Sequence, residues 1–169
     1  LRRRPTPDGQ LVELRGLEGF TLRGKLPLAG PHQAMNAAVA LVAVQSFLGT
    51  TDLDPARLRA GLAAVRVPGR VEVMRHPGRP PFVLDGAHDR DAARALMTAV
   101  AESLQPSQVT VVIGASGGRD VAPLLDELAP LDPTIVVTEA RSPTSRPARD
   151  LAGDLRRSTT TVAPDPEAA

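Results

Sequence analysis

Short apolar runs alternate with helical patterns over the second half of the chain. Four such runs predict strands: Phe82–Leu84, Val109–Ile113, Thr134–Thr138 and Thr159–Val162. Apolar residues at three- and four-residue spacing predict the helices that separate them: Ala92–Leu104, Val121–Leu128 and Ala148–Leu155. Strands that are apolar throughout and alternate with helices are typical of a parallel sheet covered on both faces. We therefore predict an α/β fold with a Rossmann-like, mostly parallel sheet and helices on both faces.

The first part of the chain has a different pattern. Weak alternation predicts short strands at Leu11–Leu14 and Phe20–Leu22. A helix is expected to begin with Gly30 as its N-cap and Pro31 in its first position, where the missing N–H costs nothing. This helix is apolar almost all the way round from Ala34 to Val44, so we expect it to be buried on several sides and to need a larger body to pack against.

A second helix is predicted to follow. Asp54 is its expected cap and Pro55 its first residue, and Pro68-Gly69 is expected to end it. We place a domain boundary at that point. The chain begins at Leu1 and stops in an alanine- and proline-rich stretch, so we expect a fragment of a longer protein.

Composition and charge exclude several classes of protein. Lys and Arg number 20 against 19 Asp and Glu, the net charge is +1, and Trp and Tyr are absent. Nucleic-acid-binding proteins usually have a basic stripe and aromatic side chains on which bases stack, so we expect no nucleic-acid partner. No apolar stretch has the length of a membrane span, and no secretory signal is recognisable. The absence of cysteine excludes disulfides and thiolate metal sites. We predict a cytoplasmic protein with no membrane partner.

Candidate chemistry lies in the loops after the predicted strands, because ligands bind beyond the carboxyl ends of strands in open α/β sheets. The first such loop is Asp85-Gly86-Ala87-His88-Asp89. A carboxylate and an imidazole three residues apart, with a glycine that allows a tight turn, suit a ribose, an amine or a phosphate. The alternative is that Asp85 and Asp89 only cap the following helix. The spacing leaves both interpretations open.

Two further loops have weaker signals. Gly114–Asp120 is rich in glycine, which suits anion binding at a helix N-terminus. It lacks the spacing of the common nucleotide motifs, so a flexible connection is favoured. Glu139–Pro143 is interpreted as a solvated loop.

Further candidate binding residues lie outside these loops. Arg70 lies in the segment Pro68-Gly69-Arg70-Val71-Glu72. Two interpretations of this arginine are open: it clamps a phosphate, or it pairs with Glu72. His32 and Asn36 lie one turn apart at the start of the apolar helix, where they are either satisfied structurally or face a cleft. We predict no metal site, because the three histidines lack the spacing of a zinc motif: His32, His76 and His88.

Three motifs occur in order along the chain: Leu28-Ala29-Gly30-Pro31-His32-Gln33-Ala34-Met35-Asn36-Ala37-Ala38, Pro68-Gly69-Arg70-Val71-Glu72 and Leu84-Asp85-Gly86-Ala87-His88. Together they resemble the folylpolyglutamate synthase/dihydrofolate synthase family, a branch of the Mur ligase superfamily. Gln33 and Gly86 look like the folate branch, since Mur enzymes more often have His-Asn and Asp-Tyr at these places. The resemblance implies three parts: the end of a central ATPase domain at 1–49, a linker helix at 50–67 and an incomplete Rossmann-like ligase domain at 68–169.

The resemblance implies an ATP-dependent amide ligation. ATP phosphorylates a carboxylate of folate or dihydropteroate, and the amine of L-glutamate attacks the acyl phosphate. By resemblance, Asn36 contacts the adenine, Arg70 the phosphates and Asp85 the ribose. His88 would be the catalytic residue, and with Asp89 it would lie beside the glutamate. The resemblance places the P-loop and the Mg²⁺ ligands in a missing N-terminal ATPase domain, so we expect this chain alone to be inactive. We expect a monomer.

Two departures from the family pattern bear on amino-acid specificity. Asp89-Arg90 stands where the family usually has Asn-Pro, and Gly117-Gly118-Arg119-Asp120 stands where it usually ends Asp-Lys-Asp. Arginine keeps the charge of lysine without its compact ammonium. Three alternatives therefore stay open. They are a Mur-type UDP-N-acetylmuramoyl amino-acid ligase domain, a non-catalytic Rossmann-like nucleotide-binding module, and a ligase domain that has lost its reaction.

Overall fold

The protein, described by a computed structural model over residues 1–155 and 160–165, forms two compact units. The first contains Leu1–Gly86 and Ala95–Gln105; the second contains Ala87–Arg94 and the described residues from Pro106 onward. These bounds differ from the predicted division at 49 and 67, which stays a prediction. The predicted α/β class is confirmed. None of the described helices is both long and apolar enough to cross a membrane.

An antiparallel three-stranded sheet opens the first unit. Its strands are β1 (Arg2–Thr6), β2 (Gly9–Arg15) and β3 (Thr21–Leu26), in the order β1-β2-β3. The buried side chains of β2 and β3 alternate along the strands and form one core with the first helix: Val12, Leu14, Leu22 and Leu26. The sequence predicted parts of β2 and β3 but not β1, whose polar residues carry no alternation.

Helix α1 (Pro31–Leu48) packs one face on this sheet, with Ala34 and Leu41 in the core. The predicted start is confirmed, because Gly30 precedes the helix with φ of 93° and Pro31 is its first residue. The prediction of burial on several sides is not met within the described residues. Several large apolar side chains of this helix are exposed: Met35, Val39, Val44, Phe47 and Leu48.

Helix α2 (Pro55–Ala64) has the predicted cap, since the Asp54 carboxylate accepts a hydrogen bond from the Ala56 N–H at 2.8 Å. Its leucines Leu58 and Leu62 pack against the first core. The helix ends four residues before the predicted Pro68, because Val65 already has extended backbone angles.

A short hairpin completes the sheets of the first unit. Strand β4 (Glu72–Met74) pairs antiparallel with β5 (Phe82–Leu84), with Val73 opposite Val83. The predicted strand at Phe82–Leu84 is confirmed, but its predicted place in the parallel sheet is wrong in the described structure. Antiparallel strands need only a short connection, and the seven residues between β4 and β5 allow this local pairing.

The second unit contains the predicted parallel sheet. Strands β6 (Thr110–Ile113), β7 (Thr134–Val137) and β8 (Thr160–Val162) lie in the order β6-β7-β8. The associated helices are α3 (Arg90–Ser103), of which only the first residues belong to this unit, α4 (Ala122–Leu128) and α5 (Ala148–Leu155). Helix α5 packs on β7 and β8 through its apolar face. Thr159, the first residue of the predicted last strand, lies outside the described residues.

Candidate functional site

The N-terminus of α1 brings His32 close to its own entry loop. A Cβ placed on Gly30 would lie 2.8 Å from His32 Cε1 and 3.0 Å from the Ala99 Cβ, so only glycine leaves room for the imidazole ring. His32 Nδ1 is buried and has no hydrogen-bond partner among the residues described. Burial lowers the pKa of His32, the nearby Asp85 carboxylate acts against this, and the Arg70 guanidinium adds to it.

The segment Gly69–Glu72 is held in an unusual conformation. Gly69 has φ of 68° and Val71 has φ of 50°, in the left-handed region that a β-branched residue seldom occupies. The Val71 N–H donates to Asp85 Oδ2 at 2.7 Å, and the Gly86 N–H donates to the Gly69 carbonyl at 3.0 Å. The loop after β5 therefore supports the backbone on both sides of Arg70.

One of the two predicted roles of Arg70 was to pair with Glu72, and the described residues show no such pair. The Glu72 carboxylate instead accepts a hydrogen bond from the Gly69 N–H at 2.9 Å. A Cβ on Gly86 would lie 3.1 Å from Arg70 Nη1, so the missing side chain leaves space for the guanidinium. Arg70 and Asp85 thus lie on two hydrogen-bonded segments of the first unit, and both charges act on the pKa of His32, so we treat the three residues as one cluster.

Asn36 lies one helical turn after His32 and is exposed. Its amide Nδ2 donates to Gln33 Oε1 at 3.4 Å, and no described contact joins it to Arg70 or Asp85. The predicted contact of Asn36 with adenine stays a prediction.

His88 and Asp89 belong to the second unit and are both exposed. Asp89 Oδ1 accepts a hydrogen bond from the Ala92 N–H at 2.8 Å, so this residue caps α3. His88 Nε2 lies 3.8 Å from Asp89 Oδ2. The capping interpretation of the loop is therefore confirmed for Asp89, and the ligand contacts predicted for this loop stay predictions. Asp89 acts as a cap, whereas Asp85 supports the backbone at Val71.

A hollow of about 300 Å³ lies at the carboxyl ends of β6 and β7, beside the two loops for which the sequence favoured a flexible or solvated connection. The Gly114–Asp120 loop is hydrogen-bonded to the residues that follow Glu139–Pro143, from the Gly117 N–H to the Thr144 carbonyl at 2.7 Å and from the Arg146 N–H to the Ala115 carbonyl at 2.8 Å. Thr138 Oγ1 is buried there without a partner in the described structure. The position of both loops after predicted strands had already indicated them as candidate loops in the sequence. Seven residues line the hollow: Gly114, Ala115, Ser116, Thr138, Ala140, Ser142 and Ser145.

No group of three or more His, Asp or Glu side chains within 1–155 and 160–165 could hold a metal ion. The clustered residues of the first unit offer one imidazole, one guanidinium and one carboxylate, which suits an anionic ligand with hydroxyl groups better than a cation.

Comparison with known proteins identifies the family. Residues 69–169 match the model of the Mur ligase glutamate ligase domain. The chain belongs to the Mur ligase family. This Mur ligase chain is 38% identical over 155 residues to a dihydrofolate synthase/folylpolyglutamate synthase of Mycobacterium tuberculosis, covering 90% of the chain and 31% of that relative. It is also 34% identical over 146 residues to a UDP-N-acetylmuramoyl-L-alanyl-D-glutamate--2,6-diaminopimelate ligase of Streptomyces coelicolor, covering 83% of the chain and 28% of that relative.

A solved structure shows the same fold. The crystal structures of Mycobacterium tuberculosis folylpolyglutamate synthase complexed with ADP and AMPPCP match with a TM-score of 0.86 and 36% identity, over 97% of this Mur ligase chain and 37% of that protein. The resemblance predicted from the three sequence motifs is therefore confirmed. The chain spans about a third of the length of these relatives.

Proposed function

We propose that this chain is the C-terminal part of a longer ATP-dependent ligase, called the parent below, that adds L-glutamate to a carboxylate of folate or dihydropteroate through an acyl phosphate. The cluster of His32, Arg70 and Asp85 is the observation that carries the proposal. A guanidinium suits phosphate oxygens, and a carboxylate suits the hydroxyl groups of a ribose. The relatives from Mycobacterium tuberculosis support the same chemistry.

In this proposal the nucleotide contacts come from the first unit. Arg70 binds the phosphates of ATP, Asp85 the ribose and Asn36 the adenine. The backbone hydrogen bonds around Gly69–Val71 support the role of Arg70, because they fix the position from which its side chain extends. Because this backbone is already ordered, less conformational entropy is lost when the phosphates bind. ATP would arrive with Mg²⁺, whose ligands lie in the part of the parent outside this chain.

The glutamate contacts come from the second unit in this proposal, from His88 and Asp89. His88 is exposed and near Asp89 Oδ2, so it is accessible to an incoming amine. The chemical demand on these residues is to hold the glutamate amine in line with the acyl carbon. Because Asp89 also caps α3, replacing it would change both stability and binding.

The exposed apolar face of α1 supports a covering partner in the parent. Three large apolar side chains of this helix are exposed at successive spacings of four and eight residues: Met35, Val39 and Phe47. An apolar stripe of this kind usually marks a contact surface. We propose that the N-terminal ATPase domain of the parent covers it and that the parent is a monomeric cytoplasmic protein.

A peptidoglycan ligase is the second candidate. The Streptomyces coelicolor relative favours it, since its identity of 34% is close to that of the folate relative. Gly86 argues for the folate branch, because the larger tyrosine more common in Mur enzymes would meet the Arg70 guanidinium. A non-catalytic nucleotide-binding module and a ligase domain without activity are the remaining alternatives.

Phosphate release from Mg-ATP by the parent tests these candidates. The parent is incubated with dihydropteroate or tetrahydrofolate, each with and without L-glutamate, or with a UDP-muramoyl precursor, with and without L-glutamate or 2,6-diaminopimelate. We expect release that needs both a pterin substrate and glutamate and that is lost in Arg70→Ala and Asp85→Ala. Arg75→Ala is the matched control, because this exposed arginine lies outside the cluster. The isolated chain is expected to release no phosphate.

The other results identify the alternatives. Release only with the UDP-sugar precursor would assign the protein to peptidoglycan synthesis. Nucleotide binding without release would favour the binding module, and the absence of both would favour a domain without activity.

A further inference from the structure

A buried glutamine on β2 is bonded to the entry loop of α1. Gln10 is 1% exposed, and its Nε2 donates to the Leu28 carbonyl at 2.8 Å and to the Gly30 carbonyl at 2.9 Å. Both donors of its amide group are therefore used on one loop. Its Oε1 is buried and has no partner among the residues described.

The same loop determines where the first turn of α1 begins. The Gly30 carbonyl also accepts the hydrogen bond of the Gln33 N–H at 3.2 Å, so the glutamine and the first helical turn share one acceptor. Gly30 has φ of 93°, and the His32 ring lies directly against it. A shift of this carbonyl would therefore move His32 and, one turn further, Asn36.

The core packing alone does not explain a glutamine at this position. The neighbouring inward residues of β2, Val12 and Leu14, are apolar and buried. A buried amide with an unpaired oxygen is costly, and an apolar side chain of similar volume would avoid that cost. The two hydrogen bonds to the loop are the contribution that an apolar residue could not replace.

We propose that Gln10 is a positioning residue for the nucleotide site, acting through Leu28 and Gly30 on the first turn of α1. This inference rests on the proposed function, in which Asn36 binds the adenine of ATP. Gln10 itself touches no substrate; it holds the loop in the conformation in which His32 and Asn36 are presented.

Gln45 provides a matched control within the chain. It is also 1% exposed, and its Oε1 accepts a hydrogen bond from the Leu17 N–H at 2.8 Å while its Nε2 has no described partner. It lies near the opposite end of α1, thirteen residues after His32. Replacing either glutamine by methionine removes a buried amide of the same size, but only Gln10→Met releases the entry loop.

Steady-state kinetics and thermal unfolding of the parent test the proposal. In Gln10→Met we expect KM for ATP to rise about tenfold, the effect of losing two buried hydrogen bonds that hold the loop. KM for glutamate should stay near that of the wild type. Gln45→Met should lower the melting temperature by a similar amount and leave KM for ATP unchanged. Equal effects of the two variants on KM for ATP would overturn the proposal.

Gln10→Glu adds a readout that a loss of packing would not produce. A carboxylate facing two carbonyl oxygens donates nothing, whereas a protonated carboxyl group donates one hydrogen bond. The ratio of the variant's KM for ATP to that of the wild type should therefore fall as the pH is lowered in Gln10→Glu. In Gln10→Met this ratio should stay constant. The same pH dependence in both variants would contradict the mechanism.

Amide hydrogen exchange tests the role of Gln10 independently of whether the parent uses ATP. If the wild-type parent uses no ATP, the proposed function fails. Exchange of the Gln33 amide then still decides whether Gln10 holds the loop. Faster exchange in Gln10→Met than in Gln45→Met would show that it does, and equal exchange would show that it does not.

Discussion

Gly86 controls how closely the guanidinium of Arg70 can approach the loop after β5. A Cβ at this position would lie 3.1 Å from Arg70 Nη1, which is tighter than ordinary contact. The group that must move is the end of a flexible, exposed side chain, so Gly86→Ala should displace the arginine without unfolding the protein. We expect KM for ATP in the parent to rise by roughly three- to tenfold, the effect of a weakened charge-assisted hydrogen bond.

Gly61→Ala is the control for this prediction. Gly61 lies inside α2, and nothing lies within 4 Å of its added Cβ. Alanine there should raise the free energy of unfolding by up to about 1 kcal/mol because glycine is the poorer helix former. KM for ATP should not change. A KM for ATP in Gly86→Ala equal to that of the wild type would show that the guanidinium does not bind the phosphates from this position.

The two acids of the same loop show what residue spacing can predict. Capping is a local event, so the position of Asp89 three residues before Ala92 was visible in the sequence. One partner of Asp85 is the Val71 N–H, fourteen residues earlier and in the left-handed region. Nothing local to Asp85 indicates that contact, which depends on tertiary structure.

The prediction of strands from the sequence has a similar limit, at the scale of elements. Runs that are apolar throughout, such as β7, were predicted because they are buried within the sheet of the second unit. Strand β1 begins with three arginines and is largely exposed, so its pattern resembles a loop. The pairing of β5 with β4 was missed because β4 has only three residues of mixed polarity.

An ion pair joins β1 to α3 inside the first unit. Arg3 donates from Nη2 to Glu102 Oε1 at 2.5 Å and from Nη1 to Oε2 at 2.8 Å, and both side chains are mostly buried. The hydrogen bond from Arg3 lowers the pKa of Glu102. We expect Glu102→Gln to lower the free energy of unfolding at neutral pH by about 1 kcal/mol.

The pH dependence of this effect follows from the lowered pKa. The ionised Glu102 stabilises the folded state at pH values above the ordinary glutamate pKa of about 4.3, and this contribution is lost as the pH falls through the lowered pKa of the folded state. Urea unfolding at several pH values should therefore show the variant and the wild type converging in acid. Glu13→Gln, whose partner Arg23 is far more exposed, should show a smaller difference at neutral pH. A Glu102→Gln difference that persists unchanged in acid would contradict the assignment.

For the whole molecule, the apolar pattern of α1 indicated that the chain needs a further body to pack against, but not which face would receive it. The structure places Ala34 and Leu41 against the antiparallel sheet and leaves Phe47 89% exposed. The relatives are about three times as long as this chain. In the proposed function, the N-terminal domain of the parent covers this exposed face of α1.

Phe47→Glu tests this arrangement, because its effect should depend on how much of the parent is present. In the isolated chain the side chain is almost fully exposed, so the free energy of unfolding should change by no more than about 0.5 kcal/mol. In the parent, a carboxylate placed in a buried apolar contact should lower the melting temperature by several degrees, since burying an unpaired charge is costly. Ser46→Glu adds the same charge at the neighbouring exposed position and is the control. If the parent tolerates Phe47→Glu as well as Ser46→Glu, its N-terminal domain does not cover this face.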